Sequence, residues 1–330
     1  MQRDRSWLRP LAGLVILGVL VWRIGGGAFV DGLHHVDARS VAAAAAIAVV
    51  TTVCGAWRWV LVARGLGAEL SLPSAVAACY RSQFLNVTLP GGVFGDVHRG
   101  VRHGRDGGDV GRGVRSVVWE RSAGQVVLLG LTLAAVLLVP SRLQPVGSPM
   151  ASVATVVLVA LTAALVGVVA PWRRRSGRTP AVRPEPLARV SRGLRVAAAD
   201  VRHGLLGRHT WPGVVVVSAL VVVGHVATFV LAARSAGVEA PVADLVPLAL
   251  VVLVAMALPL NVAGWGPREG VAAWVFGVAG LGVAGGVATA VVYGVMSFVA
   301  ALPGAALLVV SRRGGPRTPT GLTPEGAARG

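Results

Sequence analysis

The first stretch whose residue types could do chemistry is 83–99. It interrupts the helical pattern between an apolar segment and a basic one. It contains the amide of Asn86, the carboxylate of Asp96 and the guanidinium of Arg99. A guanidinium donates forked hydrogen bonds to phosphate or carboxylate oxygens, and a neighbouring carboxylate can keep it oriented. Proline lacks an amide donor and glycine adopts angles closed to other residues, so no regular helix should run through the stretch. The breaking residues are Pro90, Gly91, Gly92 and Gly95.

A second interruption of the same kind occupies residues 259–270 and contains Asn261, Arg268 and Glu269. Both interruptions carry Leu-Asn-Val, at residues 85–87 and 260–262, followed by glycines and charges. The residues that should break the helix here are Pro259, Gly264, Gly266 and Pro267. We therefore predict two related helix breaks, one in each half of the chain.

Further charged residues lie in or near apolar segments, and a charge at mid-bilayer costs roughly 2.5–3.5 kcal/mol on insertion scales. Two interpretations remain open. The charges pair with one another at the membrane interface, or they line a polar cavity entered from the lipid and hold a headgroup phosphate. The candidate headgroup-binding residues are Arg81, Asn86, Asp96, Arg99, Glu120, Arg121, Asn261, Arg268 and Glu269.

The elements that must position these residues are apolar. The chain has 330 residues, 55% hydrophobic and 14% charged, with a mean hydropathy of +0.72, more apolar surface than one soluble core can hide. Runs long enough to cross a bilayer recur along it. We predict an all-α polytopic membrane protein with about six spanning helices plus two broken re-entrant hairpins. The predicted apolar segments are 11–22, 41–62, 74–89, 117–139, 151–170, 213–233, 242–258, 271–278 and 283–310.

Arginine-rich stretches predict the topology. The net charge is +17 and residues 97–115 and 171–211 are rich in arginine, so we expect both to be cytoplasmic loops, with both termini inside the cell membrane. The hairpins then enter from opposite faces, which suggests an inverted repeat with a site near the midplane. We expect Asp96 and Arg99 to need Arg268 and Glu269 as partners across that site. We expect one membrane domain, residues 1–310, and a disordered cytoplasmic tail, residues 311–330.

Other singular residues have simpler interpretations. Arg58 lies between two tryptophans near a predicted helix end, and we expect it to anchor that helix at the interface rather than contact a headgroup. We expect His225, alone in an apolar segment, to be a buried hydrogen-bond donor to a neighbouring helix rather than a proton carrier. The two cysteines have no metal or redox spacing.

Several functional classes are disfavoured by the sequence. The arginines lack the interleaved aromatics of nucleic-acid binding, so we expect no nucleic-acid partner. Asp96, His98 and Glu120 could act as acid and base, but no nucleophile elbow, metal-ligand spacing or phosphate loop accompanies them. We expect no enzyme activity, cofactor or metal; the alternative of direct membrane transferase activity stays open and would require a donor pocket that the sequence does not show.

A set of motifs resembles, in order, the lysylphosphatidylglycerol synthase transmembrane-region family, also called flippase-like domain proteins. The resemblance implies a membrane domain that moves lipids with charged or sugar-bearing headgroups, here in the form without the aminoacyl-transferase domain. The motifs are Trp-Arg-Trp at 57–59, Arg-Gly-Leu-Gly at 64–67, Phe-Leu-Asn at 84–86, Leu-Pro-Gly-Gly at 89–92, Gly-Asp at 95–96 through Arg99, Glu-Arg at 120–121, Pro259, and Gly-Trp-Gly-Pro-Arg-Glu at 264–269.

Two functional hypotheses follow. In the first, the protein binds and translocates anionic or polyprenyl-linked lipids, passively or by a gradient because no nucleotide motif is present. In the second, it is a non-catalytic accessory subunit that presents a lipid to a separate membrane glycosyl- or aminoacyl-transferase, which the basic loop at 173–208 would dock.

Overall fold

A computed structural model describes residues 37–89, 92–138, 196–197, 199–205, 207, 210–257 and 267–313. The regular structure in these ranges is helical throughout. The helices are α1 (Ala38–Gly65), α2 (Leu72–Thr88), α3 (Phe94–Asp106), α4 (Val110–Leu138), α5 (Trp211–Ser235), α6 (Val242–Met256), α7 (Pro267–Val278) and α8 (Val283–Arg313), with a short π-helical segment at Val201–Leu205 between α4 and α5.

The described residues contain three helices that are long and apolar enough to cross a membrane, namely α1, α5 and residues Val283–Val310 of α8. The shorter α6 is also apolar. The prediction of an all-α polytopic membrane protein is therefore confirmed. The predicted segments 11–22 and 151–170, most of the basic loop and nearly all of the tail lie outside the described residues, so the count of about six spans stays a prediction.

The prediction of a loop at residues 97–115 was wrong, because α3 and the first turns of α4 occupy it. Two glycines permit this packing: a Cβ on Gly113 would lie 2.4 Å from the backbone nitrogen of Gly104. Asp109 caps the start of α4 by accepting a 2.8 Å hydrogen bond from the Arg112 amide. Arg102 and Arg105 therefore lie on the exposed side of a packed helix rather than in a loop, while Arg99 of the same helix is buried.

The predicted break in the first half is confirmed. Helix α2 ends at Thr88 and α3 begins at Phe94. The two helices pack on each other and form a helical hairpin. Gly92 lies in the turn with a φ of 60°, a conformation that strongly favours glycine. Pro90 and Gly91 lie outside the described residues. In the second half α6 ends at Met256 and α7 begins at Pro267, while Pro259, Gly264 and Gly266 lie outside the described residues.

The two halves of the chain repeat one four-helix unit. Residues 63–69 read Ala-Arg-Gly-Leu-Gly-Ala-Glu and residues 233–239 read Ala-Arg-Ser-Ala-Gly-Val-Glu, and each segment turns from a long helix into a shorter one. The turns share their geometry: Gly67 has a φ of 72° and Gly237 a φ of 78°. Helices α1 to α4 thus correspond to α5 to α8. This turn motif marks the repeat more strongly than Leu-Asn-Val does.

The two units are inverted with respect to each other. Helices α1 and α5 are antiparallel, since a Cβ on Gly213 would lie 3.1 Å from Leu61 and one on Gly224 would lie 2.2 Å from Thr51. Because each hairpin starts where one of these helices ends, the two hairpins start at opposite ends of the molecule. The packing across the units is also reciprocal: α2 packs on α8 as α6 packs on α4. This arrangement is the inverted repeat that places binding sites between the halves in many transporters.

The end of the molecule that carries the turn after α1 is called face 1. The Arg112 guanidinium donates to the carbonyl oxygen of Gly67 at 3.2 Å, which brings the start of α4 to this face. Arg115 pairs with Asp200 at 2.9 Å, and Gly204 packs directly on the end of α1. The described end of the basic loop and the turn between α3 and α4 therefore lie on the same face, as the arginine pattern predicted.

Close packing of α2 on α8 depends on Gly304. A Cβ at this position would lie 2.1 Å from the Tyr80 carbonyl oxygen, a backbone atom that cannot move aside easily. We expect Gly304→Ala to lower the free energy of unfolding by about 1–3 kcal/mol through overpacking, measured as a lower thermal midpoint in detergent. Gly130→Ala on α4 is the matched control, because its Cβ would meet nothing within 4 Å. Equal destabilisation by both substitutions would contradict the role of Gly304 in the packing of α2 on α8.

Candidate functional site

Glu120 lies at the centre of a buried ion network on α4. One carboxylate oxygen accepts from the Arg58 Nε at 2.8 Å and also from a terminal nitrogen of the same guanidinium. The other oxygen accepts from Arg99 at 2.6 Å. All three residues are buried, and they come from α1, α3 and α4. One carboxylate thus joins three helices of the first unit.

Asp96, in the first turn of α3, is the second carboxylate of the network. One oxygen accepts from the Ser82 hydroxyl at 3.0 Å and from the Arg99 Nε at 3.0 Å. The other accepts from the Asn86 amide at 3.0 Å and from the guanidinium of Arg121. Five of the six predicted site residues of the first half therefore come together, namely Asn86, Asp96, Arg99, Glu120 and Arg121.

Asn86 bridges the helix break. Its side-chain oxygen accepts a 2.8 Å hydrogen bond from the backbone amide of Gly95, one of the amides at the start of α3 that lack a helical partner. Its side-chain nitrogen donates to Asp96. Gly95 itself must be small, because a Cβ there would lie 2.1 Å from the Ser82 carbonyl oxygen. The break therefore sets the position of Asp96 relative to α2.

Aromatic packing fixes Arg99 in its buried position. Its guanidinium carbon lies 4.7 Å from the centre of the Trp59 ring, a cation–π contact. The Trp59 indole donates to the Ser116 hydroxyl at 2.9 Å, which holds the ring in place. Arg99 therefore has a carboxylate partner on two sides and an aromatic face, and it serves to organise the network.

The network carries a surplus positive charge, because three guanidinium groups face two carboxylates. Arg121 carries this surplus at an accessible position. Its side chain is 48% exposed, whereas those of Arg58 and Arg99 are 10% and 5% exposed. An anionic group could therefore reach Arg121 without disturbing the buried pairs.

Arg58 was expected to anchor α1 at the membrane interface, and that expectation was wrong. Besides its pairing with Glu120, it donates to the Ser218 hydroxyl on α5 at 3.2 Å. Its guanidinium packs on Gly124, where a Cβ would lie only 2.7 Å away. Of its two flanking tryptophans, one is exposed and the other is buried. Two tryptophans beside an arginine suggested an interface, and Arg58 was not predicted to be a site residue although it lies in the family motif at 57–59.

In the second unit the buried arginine is Arg268, in the first turn of α7. It pairs with Glu269 at 2.6 Å, and its guanidinium carbon lies 5.9 Å from the centre of the Tyr293 ring. Gly294 makes room for it, since a Cβ there would lie 2.3 Å from the guanidinium. Asn261 lies outside the described residues.

The expectation that Asp96 and Arg99 need Arg268 and Glu269 as partners was wrong. Both residues are paired within the first unit, with each other and with groups on α2 and α4. The first unit therefore satisfies these charges from its own helices.

His225 and Tyr293 form a polar contact between α5 and α8. The His225 Nδ1 lies 3.0 Å from the Tyr293 hydroxyl oxygen, and the histidine tautomer decides which of them donates. The predicted hydrogen bond to a neighbouring helix is thus present, although His225 is exposed rather than buried. Since Tyr293 also lies near Arg268, this contact is positioned between the two charged regions.

Arg81 lies apart from the network. The charges that act on it are those of Arg102 and Asp106, near the face 1 end of α3. Within the described ranges no three histidine, cysteine or carboxylate side chains come together as metal ligands.

We expect Glu120→Gln to destabilise the fold strongly, because it leaves two buried guanidinium groups short of a counter-charge. Removing one partner of a buried ion pair costs about 3–5 kcal/mol. The measurement is the free energy of unfolding in detergent or bicelles.

Asp109→Asn is the matched control for Glu120→Gln. It removes a carboxylate from an exposed pair with Arg112, 3.4 Å apart, and keeps a side chain able to cap α4. Exposed pairs contribute about 0–1 kcal/mol, so this variant should unfold almost like the parent. A Glu120→Gln loss no larger than the control's would show that the network does not carry the fold.

Comparison with known families agrees with the motifs. No curated protein and no solved structure matches the chain. The family described as Lysylphosphatidylglycerol synthase TM region matches residues 7–304, which covers most of the chain and all of the charged residues described above. The chain belongs to this family.

Proposed function

We propose that the protein binds anionic or polyprenyl-linked lipids by their phosphate and moves them across the cytoplasmic membrane. The observation that carries the proposal is the surplus positive charge of the buried network, which Arg121 presents at an accessible position beside a helix break. A guanidinium can hold a phosphate through two parallel hydrogen bonds. Asp96 keeps Arg121 oriented while the site is empty.

The surroundings of Asp96 favour a lipid over a soluble anion. Val93, Phe94 and Val97 flank it at the start of α3, and they are 43%, 54% and 51% exposed. Exposed apolar side chains at a helix break suit contact with acyl or prenyl chains. A lipid could thus place its headgroup on Arg121 and its chains along these side chains. Membership of a family related to lipid handling supports the same assignment.

The inverted repeat supports movement rather than binding alone. Two units of opposite orientation can expose a site between them first to one face and then to the other. We place face 1 at the cytoplasm, and with it both termini, since the turn between α3 and α4 and the described end of the basic loop lie there. The movement would be passive or driven by a gradient, and the proposal assigns no enzyme activity.

Reconstitution into liposomes tests the proposal. Fluorescent phosphatidylglycerol in one leaflet should become accessible to a membrane-impermeant quencher faster than in empty liposomes. Arg121→Ala should slow the rate of quenching by about tenfold or more, since a hydrogen bond to a charged group is worth about 1.5–3 kcal/mol. Arg121 is half-exposed, so its loss should leave the fold intact.

The matched control is Arg105→Ala, which removes an exposed arginine of α3 outside the network. It should translocate at the parent rate. Equal rates for Arg121→Ala and the parent would refute the assigned site. Lipid binding without translocation would favour the accessory role, in which the protein presents lipid to a transferase.

A further inference from the structure

A second site is indicated by a difference between the two repeated turns. In the second unit Arg234 folds back on its own turn and donates to the carbonyl oxygens of Val238 at 2.9 Å and Ala240 at 2.6 Å. Its counterpart Arg64 is also exposed, but among the described residues it has no such carbonyl partner. Arg112 from α4 instead bonds the first turn, at the carbonyl of Gly67. Arg64 is thus released from the structural role of its repeat partner.

Arg64 lines an open cavity of about 630 Å³ on the surface of face 1, between the end of α1, the start of α2 and the end of α3. Charged and hydroxyl side chains predominate in its wall. The lining residues are Arg64, Glu69, Leu70, Ser71, Ser74, His103 and Asp106.

The wall of the cavity is held in place. The His103 ring packs edge-on against Trp59, with 5.4 Å between ring centres, and Trp59 is fixed by Ser116. The Ser71 and Ser74 hydroxyl oxygens lie 2.9 Å apart. Partial burial lowers the pKa of His103 from its usual value, although Asp106 raises it in part, which favours the neutral imidazole. It can therefore donate a hydrogen bond without adding a charge.

The lining charges select the ligand. Glu69 and Asp106 would repel a simple anion, and Arg64 would repel a simple cation. A group that carries both charges can pair with the arginine and with the carboxylates. We propose that this cavity binds a zwitterionic head made of a phosphate and a primary ammonium. Arg64 and the two serine hydroxyls hold the phosphate, and the carboxylates accept from the ammonium. The site is separate from the Arg121 network and needs no translocation.

The test is calorimetric titration of the full chain in detergent with glycerophosphoethanolamine, and with glycerophosphoglycerol, which lacks the ammonium. The first should bind and the second should bind at least tenfold more weakly. Arg64→Ala and Asp106→Asn should each weaken the first by about tenfold or more, as loss of a charged partner does. Arg105→Ala should bind like the parent, because it removes a nearby exposed charge outside the cavity.

A second arm separates a membrane source from a soluble one. In phosphatidylglycerol nanodiscs with a minor share of phosphatidylethanolamine, native mass spectrometry should show phosphatidylethanolamine retained by the parent and lost in Arg64→Ala. Retention of phosphatidylethanolamine without calorimetric binding of glycerophosphoethanolamine assigns the site to a lipid head. Calorimetric binding without retention of the lipid assigns it to a soluble ligand. The proposal is overturned if neither probe binds, if Arg105→Ala weakens binding as much as Arg64→Ala, or if Arg121→Ala abolishes it.

Discussion

The pairing of Glu120 with two buried arginines is the interaction on which the first unit depends. Arg58 reaches it from α1 and Arg99 from α3, so three helices share one carboxylate. Buried charges lose hydration, and only several hydrogen bonds per group offset that loss. Asp96 supplies the second acceptor to Arg99 and thereby connects α2 through Ser82. Two carboxylates face three guanidinium groups, so one positive charge is left over. Arg121 is the exposed guanidinium of the three, and a ligand can reach it.

Glycine is what allows such large charged groups to lie between helices. Gly124 accommodates the guanidinium of Arg58, and Gly294 accommodates that of Arg268. A side chain at either position would overlap the arginine. Gly95 and Gly304 act differently, since they bring one backbone against another. Small residues at helix contacts are the usual route to close packing in membranes, where apolar burial between helices gains little.

The inverted repeat has diverged in its charges. The first unit has a network of five charged groups, and in the second Arg268 contacts Glu269 and the Tyr293 ring. The turn arginines differ too, since Arg234 caps its own turn and Arg64 lines a cavity. Among the described residues, the larger ion network therefore lies in the first unit.

The sequence by itself determined the helical membrane class, because apolar run length and hydropathy depend only on local composition. It also determined the first break, since the limits that glycine and proline place on the backbone are local. Tertiary structure decided which charges are buried. Arg58 became part of the network because α4 brings Glu120 and Gly124 against it. Residues 97–115 form two packed helices joined by a turn, because glycines let α3 approach α4 closely. Contacts between distant segments leave little trace in local pattern, so only the folded chain decides them.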